Sequence, residues 1–190
     1  YKQNFKGYIS FISVGAADGK MDIAFQLKCP GVNFDLSHAG KGKSHGWFFF
    51  SCYNTEQAST LLEVNASQRD KDFIMAVNWK KAEVYLKAGK GRKQSVKYAH
   101  NVYDEKSHTA TSEIRTEVTV LDASELKDIC YMIPCPKSPH GCDVDPTGEY
   151  IVGSGKLAAL VPVFSFTKMQ KAIADKAYDG DYAGIPVIKY

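Results

Sequence analysis

Cys135, His140 and Cys142 stand close together in the sequence, and thiolate and imidazole are the side chains that ligate transition metals. The spacing Cys135-x4-His140-x-Cys142 matches no standard zinc pattern, and free cysteines are more often packed than reactive. The five cysteines, at 29, 52, 130, 135 and 142, are odd in number and irregularly spaced, unlike the dense, even set of a stapled secreted scaffold. His140 is the better candidate. Pro139 restricts its backbone on one side, and a ring held by a stiff loop loses less entropy on binding metal. Taken alone, a single histidine in such a loop is ordinarily just a polar turn residue. His38 and His45 fall in a polar, glycine-broken stretch and read as solvated, while His100 and His108 suggest no role.

The elements around His140 must hold it. Ile129 to Ile133 leads into its loop, and Asp145-Pro146-Thr147-Gly148 is a turn in which Pro presets φ and Gly closes. Glu149 to Gly153 follows as a strand, Gly153 to Lys156 as a second turn, and Leu160 to Phe166 as the next strand. Strand, tight turn, strand is an antiparallel meander, the unit of propeller blades. Further strands are expected at Tyr8–Val14, Met21–Leu27, Trp47–Tyr53, Phe73–Trp79 and Val118–Leu121. Trp47–Tyr53 is apolar on both faces, which suits a sheet buried between neighbours. Residues 29–46 read as loop, Gln57–Val64 as a short helix or an irregular excursion, and 88–116 as an exposed excursion. Helices are expected at Lys80–Lys87, closed by Gly89, and at Met169–Ala177, with a turn at Asp179–Asp181 before a last strand.

Composition sets broad limits. A hydrophobic fraction of 44% and a charged fraction of 24% are those of a soluble globular protein, and 12% aromatics lean toward β structure. A net charge of +3, with no aromatic-interleaved basic patch, gives no reason to expect nucleic acid as a partner, and no apolar run is long enough to span a membrane. The chain opens on Tyr1 without a signal-like leader and ends at Tyr190 inside a strand-like run, so we expect a partial sequence cut at both ends. The expectation is all-β, a partial β-propeller of about three blades over residues 1–190 with short connecting helices.

The stretch PCPKSPHG followed by DVDPTGEYIVGSGKL resembles the catalytic propeller of nitrous oxide reductase in its atypical lineage, and the likeness runs from about Met21 to Tyr190 with a gap near 90–120. In that family the loop histidine, here His140, is one of seven holding a four-copper sulfide cluster. The resemblance implies reduction of nitrous oxide to dinitrogen and water. Its electrons come from a cytochrome c or cupredoxin through a binuclear copper centre in a further domain. It also implies a homodimer and a periplasmic location. The Cys52-Tyr53-Asn54-Thr55-Glu56 segment is similar to one whose Tyr and Glu bind a structural calcium in the family, which points to Tyr53, Glu56 and Asp72 as calcium ligands, with Asp70 an alternative to Asp72. Two departures stand out: Ser138 replaces the family's asparagine two before the loop histidine, and Asn65 its methionine. The family's paired N-terminal histidines, later ring histidines and C-terminal copper motif are absent, so the piece by itself is expected to be inactive. The alternative is a non-catalytic propeller serving as a binding scaffold.

Overall fold

The computed structural model describes residues 7–53, 71–100 and 112–189, with the side chains of residues 53, 71, 96–100 and 112–116 outside that description. Among the described residues the strands are β1 (Gly7–Val14), β2 (Met21–Cys29), β3 (Asn33–Ala39), β4 (Trp47–Tyr53), β5 (Lys71–Asn78), β6 (Arg92–His100) and β7 (Ser112–Asp122). They continue with β8 (Cys130–Pro136), β9 (Pro139–Val144), β10 (Tyr150–Gly155), β11 (Val163–Ser165), β12 (Tyr178–Tyr182) and β13 (Ile185–Ile188). Two α-helices are described, α1 (Trp79–Lys87) and α2 (Phe166–Ala174).

The strands form a four-stranded sheet in the order β1-β2-β7-β6, a six-stranded sheet β12-β13-β8-β5-β4-β3 and a three-stranded sheet β11-β10-β9. The six-stranded sheet lies in the middle because its central strands β4, β5 and β8 are apolar on both faces. Side chains alternate along a strand, so Ile74 and Ala76 of β5 point one way and Met75 and Val77 the other. Tyr131 and Ile133 of β8 are likewise opposed to Cys130 and Met132. The first set joins Trp47, Phe49, Val144, Ile151 and Phe164 in a core against the three-stranded sheet. The second joins Phe25, Leu27, Leu121 and Ile185 in a core against the four-stranded sheet. Each large aliphatic side chain removed from water this way contributes about 1.5–3 kcal/mol.

The protein is therefore mostly β, as expected, but the meanders are not purely antiparallel: β2 pairs with β7, and β13 with β8, in parallel. No closed ring of sheets forms among the described residues. Trp47–Tyr53 forms the strand expected of it. The 29–46 stretch, expected as loop, contains β3. Its Asn33–Ala39 run alternates weakly, and a bulge interrupts the alternation. The expected excursion at 88–116 contributes β6 and part of β7, an antiparallel ladder from Arg92↔Val120 to His100↔Ser112. Its Lys, Thr and Ser residues suit an exposed ribbon, and composition alone does not separate that from a loop. Phe166 opens α2 rather than ending a strand, because Ser165 caps the helix by accepting from the Lys168 N–H at 3.1 Å. The last turn falls at Ala183 and Gly184, both at positive φ, rather than at Asp179–Asp181.

Candidate functional site

The site lies where two sheet edges meet without a backbone ladder. β3 is the outer strand of the six-stranded sheet and β9 that of the three-stranded sheet; the two pack together, yet each pairs only with the neighbour in its own sheet. His140 is the second residue of β9, so it sits at a strand start rather than in a free loop. The chain turns from β8 into β9 through Ser138, a non-glycine residue at φ 54°. Holding such a backbone costs about 1–3 kcal/mol.

At the junction, His140 Nδ1 lies 2.6 Å from Asp35 Oδ2. An ionised carboxylate only accepts, so Nδ1 carries a proton, and in the neutral ring Nε2 keeps its lone pair. The ring is 52% exposed and the Asp35 side chain 27%, which leaves the Nε2 side of the site approachable. A histidine whose Nδ1–H is held by a carboxylate and whose Nε2 is open is the arrangement of a metal-ligating imidazole, tautomer and ring direction both set.

The other two histidines with described side chains are committed differently. His38 Nδ1 lies 3.0 Å from the Val144 amide and 2.9 Å from Asp143 Oδ1. A backbone N–H can only donate, so Nδ1 accepts and the ring proton sits on Nε2, leaving Asp143, 86% exposed, as a solvated neighbour. His45 Nδ1 accepts from Lys80 Nζ at 3.0 Å, and the ring lies edge-on to Trp79. Both were expected to be solvated in a loop; instead each is held by named partners.

Asp35 reaches His140 because of the bulge in β3. Phe34 pairs with Cys52 and Ser37 with Phe50, so Asp35 and Leu36 together face the single residue Ser51 of β4. Such a bulge bends the strand and re-aims a side chain. Ser51, fully buried, fills the gap: its Oγ accepts from the Leu36 N–H at 3.1 Å and lies 3.2 Å from Leu36 O and 3.1 Å from His140 O.

The flanking cysteines do not complete a Cys/Cys/His site. Burial, reinforced by the nearby Asp72, pushes the Cys135 thiol up to about 12. Burial also lifts Cys142 to about 11, and its Sγ donates to Phe49 O at 3.2 Å. Both are neutral thiols at ordinary pH in the metal-free chain. Among the described residues no three His, Cys, Asp or Glu side chains converge so as to hold a metal ion.

Asp72 is fully buried at the start of β5, opposite Cys135, and its Oδ2 accepts from the Ser138 N–H at 2.9 Å. Asp72 and the chain two residues before His140 are thus in contact. Tyr53 ends β4, one step beyond the Cys52↔Phe73 pair, so its backbone lies at the Asp72 end of the ladder. The side chain of Tyr53 and the whole of Glu56 and Asp70 lie outside the described residues.

The same pair of sheets is clasped again beyond His38. Lys43 donates its N–H to Thr147 O at 3.0 Å and its Nζ to Glu149 Oε2 at 3.1 Å. Glu149 also accepts from Ser165 Oγ and Thr167 Oγ1, each at 2.6 Å. These hydroxyls, with Lys43, hold its carboxyl down at about 2. Gly148, at φ 74°, sits so close to the 41–43 segment that a Cβ would lie 1.7 Å from Lys41 O.

Sequence reasoning singled out His140 and missed Asp35 and Ser51. The two members of the His140–Asp35 pair are 105 residues apart. The usable signal was the hairpin itself: the weak alternation at 33–39 and the strand at 47–53 flank a glycine-rich link.

No protein-family model matches the chain. Among curated proteins it is 27% identical over 173 residues to the nitrous-oxide reductase of Pseudomonas fluorescens, a match covering 90% of this chain and 24% of that protein. It is 25% identical over 175 residues to the nitrous-oxide reductase of Stutzerimonas stutzeri, again covering 90% of this chain and 24% of the relative. The chain thus spans about a quarter of the length of the curated relatives it matches, and its likeness to nitrous-oxide reductases is distant and partial.

Proposed function

We propose that this chain is part of a copper-dependent nitrous oxide reductase and that His140 supplies one copper ligand through Nε2. The observation that carries the reading is the Asp35–His140 hydrogen bond, which leaves Nε2 as the open lone pair. Imidazole suits copper, and a carboxylate behind it raises its basicity. The other ligands, and the domain through which electrons enter, would come from outside this chain. When bound, the copper–sulfide cluster supplies the two-electron chemistry that turns nitrous oxide into dinitrogen and water. The contribution of this chain is positional: Asp35 holds the ring proton on Nδ1, β9 sets the ring direction, and the two cores keep the junction rigid.

The three stacked sheets are read as consecutive blades of an incomplete propeller. Asp72 is read as a structural calcium ligand with Tyr53 and Glu56, since a hard cation takes oxygen donors from separate segments. A periplasmic, homodimeric enzyme fed by a small cytochrome c or cupredoxin completes the reading, and it rests on the likeness to the reductases alone.

The test is His140→Ala in the complete gene product, produced in a denitrifying host. We expect copper content and nitrous oxide turnover to fall together while the circular dichroism spectrum stays that of wild type. Wild-type copper content and turnover in the variant would end the ligand assignment.

A further inference from the structure

We infer that Ser51 is the positioning residue that aims both members of the Asp35–His140 pair. The inference rests on reading that pair as the ligand unit, but its physical basis is independent of any metal. Along β4 every neighbour of Ser51 is apolar: Trp47, Phe48, Phe49, Phe50 and Cys52 form the rest of the strand apart from Tyr53. A hydroxyl completely removed from water in such a run costs free energy unless it is hydrogen-bonded, and here it is bonded on both sides of the junction. On one side it receives the Leu36 amide, the group that the bulge leaves without a ladder partner. On the other its single proton is shared between the His140 carbonyl at 3.1 Å and the Leu36 carbonyl at 3.2 Å. Leu36 follows Asp35 directly, so fixing the Leu36 amide fixes the direction in which the Asp35 side chain leaves the strand. The His140 carbonyl belongs to the residue whose ring Asp35 holds. One buried oxygen therefore ties the backbones of carboxylate and imidazole together, between two strands that share no ladder.

A residue that merely filled the gap would be replaceable by any group of like volume. A positioning hydroxyl is not. The test uses the metal-free chain and long-range proton–nitrogen NMR, which reads the ratio of Nδ1–H to Nε2–H forms of His140. Wild type should hold the Nδ1–H form. Ser51→Ala should lower that ratio about fivefold, the effect of losing one hydrogen bond of ordinary net strength, and should speed exchange of the Leu36 amide. Ser51→Cys keeps the volume with a much weaker donor and should behave like Ser51→Ala. That variant decides the matter if the alanine chain does not fold. Ser51→Thr keeps the hydroxyl and should recover the wild-type ratio, and Asp35→Ala gives the ratio with no carboxylate present. A wild-type ratio in Ser51→Ala or Ser51→Cys would overturn the assignment, as would a folded Ser51→Thr that fails to recover it. Adding copper(I) to the complete gene product separates the two claims. If the His140 signals do not respond, the ligand reading fails while the Ser51 result stands on its own.

Discussion

The six-stranded sheet meets its two neighbours in different ways. Against the four-stranded sheet the contact is a dry layer of Phe25, Leu27, Met75, Met132 and Leu121. Against the three-stranded sheet there is an equally apolar core, but along β3 and β9 that core is bordered by polar groups: Asp35 with His140, Ser51 between them, His38 on the Val144 amide, and Lys43 on Glu149. Apolar packing is non-directional and carries stability. Hydrogen bonds add little net stability but fix direction. The proposed ligand site sits on the second kind of border, where two strand edges meet without a ladder and side chains must do the aligning.

The largest expected effects come from breaking the packing on both sides of the middle sheet. Met132 and Ile133 are adjacent, fully buried and face opposite layers. Met132→Ala and Ile133→Ala should each cost about 2–5 kcal/mol in urea unfolding. A loss below 1 kcal/mol in either, a small fraction of that range, would mean that its side is not a packed layer.

Next comes the clasp beside the border. Gly148→Ala must both adopt a left-handed backbone, at about 1–2 kcal/mol, and displace the Lys41 carbonyl. Gly89→Ala is the control, with the same sign of φ at 68° and open space around it, so it should show the backbone cost alone. Equal losses in the two variants would remove the clasp from the account.

Glu149 gives the clasp a pH signature. Its carboxyl is lowered from an ordinary 4.5 to about 2 in the folded chain, chiefly by the Ser165 and Thr167 hydroxyls and then by Lys43. A depressed folded value means stability that is present above about 4.5 and is lost as pH falls toward 2. Glu149→Gln should therefore flatten the fall of the urea midpoint across that window. Some fall should persist, because Asp145 is held at about 2 by Thr147 and the Tyr150 amide. An unchanged profile in the variant would show that Glu149 is not the group being titrated.

These border residues mark where the sequence was and was not legible. Trp47–Tyr53 could be read as a doubly buried strand because every position but Ser51 is large or apolar, and period-free apolar runs are what a middle sheet demands. Met21–Leu27, the greater part of β2, was legible by strict alternation, and α1 by its composition and the glycine that closes it. β3 was not, because Asp35, Ser37 and His38 give it the composition of a loop and the bulge breaks its period. Asp35 as the partner of His140 was beyond reach for a simpler reason: the pairing is set by how two sheets stack, and no local pattern encodes that. Ser51 looked like an interruption in an apolar run, which is what a buried hydroxyl with backbone duties looks like from sequence.

The smallest expected effect sharpens the contrast within the border. Asp143 lies 2.9 Å from His38, against 2.6 Å between Asp35 and His140, but the Val144 amide already occupies His38 Nδ1, and Asp143 is exposed. Exposed pairs of this kind contribute little. Asp143→Asn should leave the urea midpoint and the His38 tautomer as in wild type, and a change in that tautomer would mean that Asp143, not the amide, holds the ring.

The most direct test of the central claim is the state of the His140 ring before and after metal. In long-range proton–nitrogen spectra of the metal-free chain, His140 should show its proton on Nδ1. On titration of the complete gene product with copper(I), its Nε2 signal should move while the Nδ1 proton stays, and His38 and His45 should not respond. A ring proton on Nε2 in the metal-free chain, or His140 signals in the complete gene product indifferent to copper(I), would contradict the account.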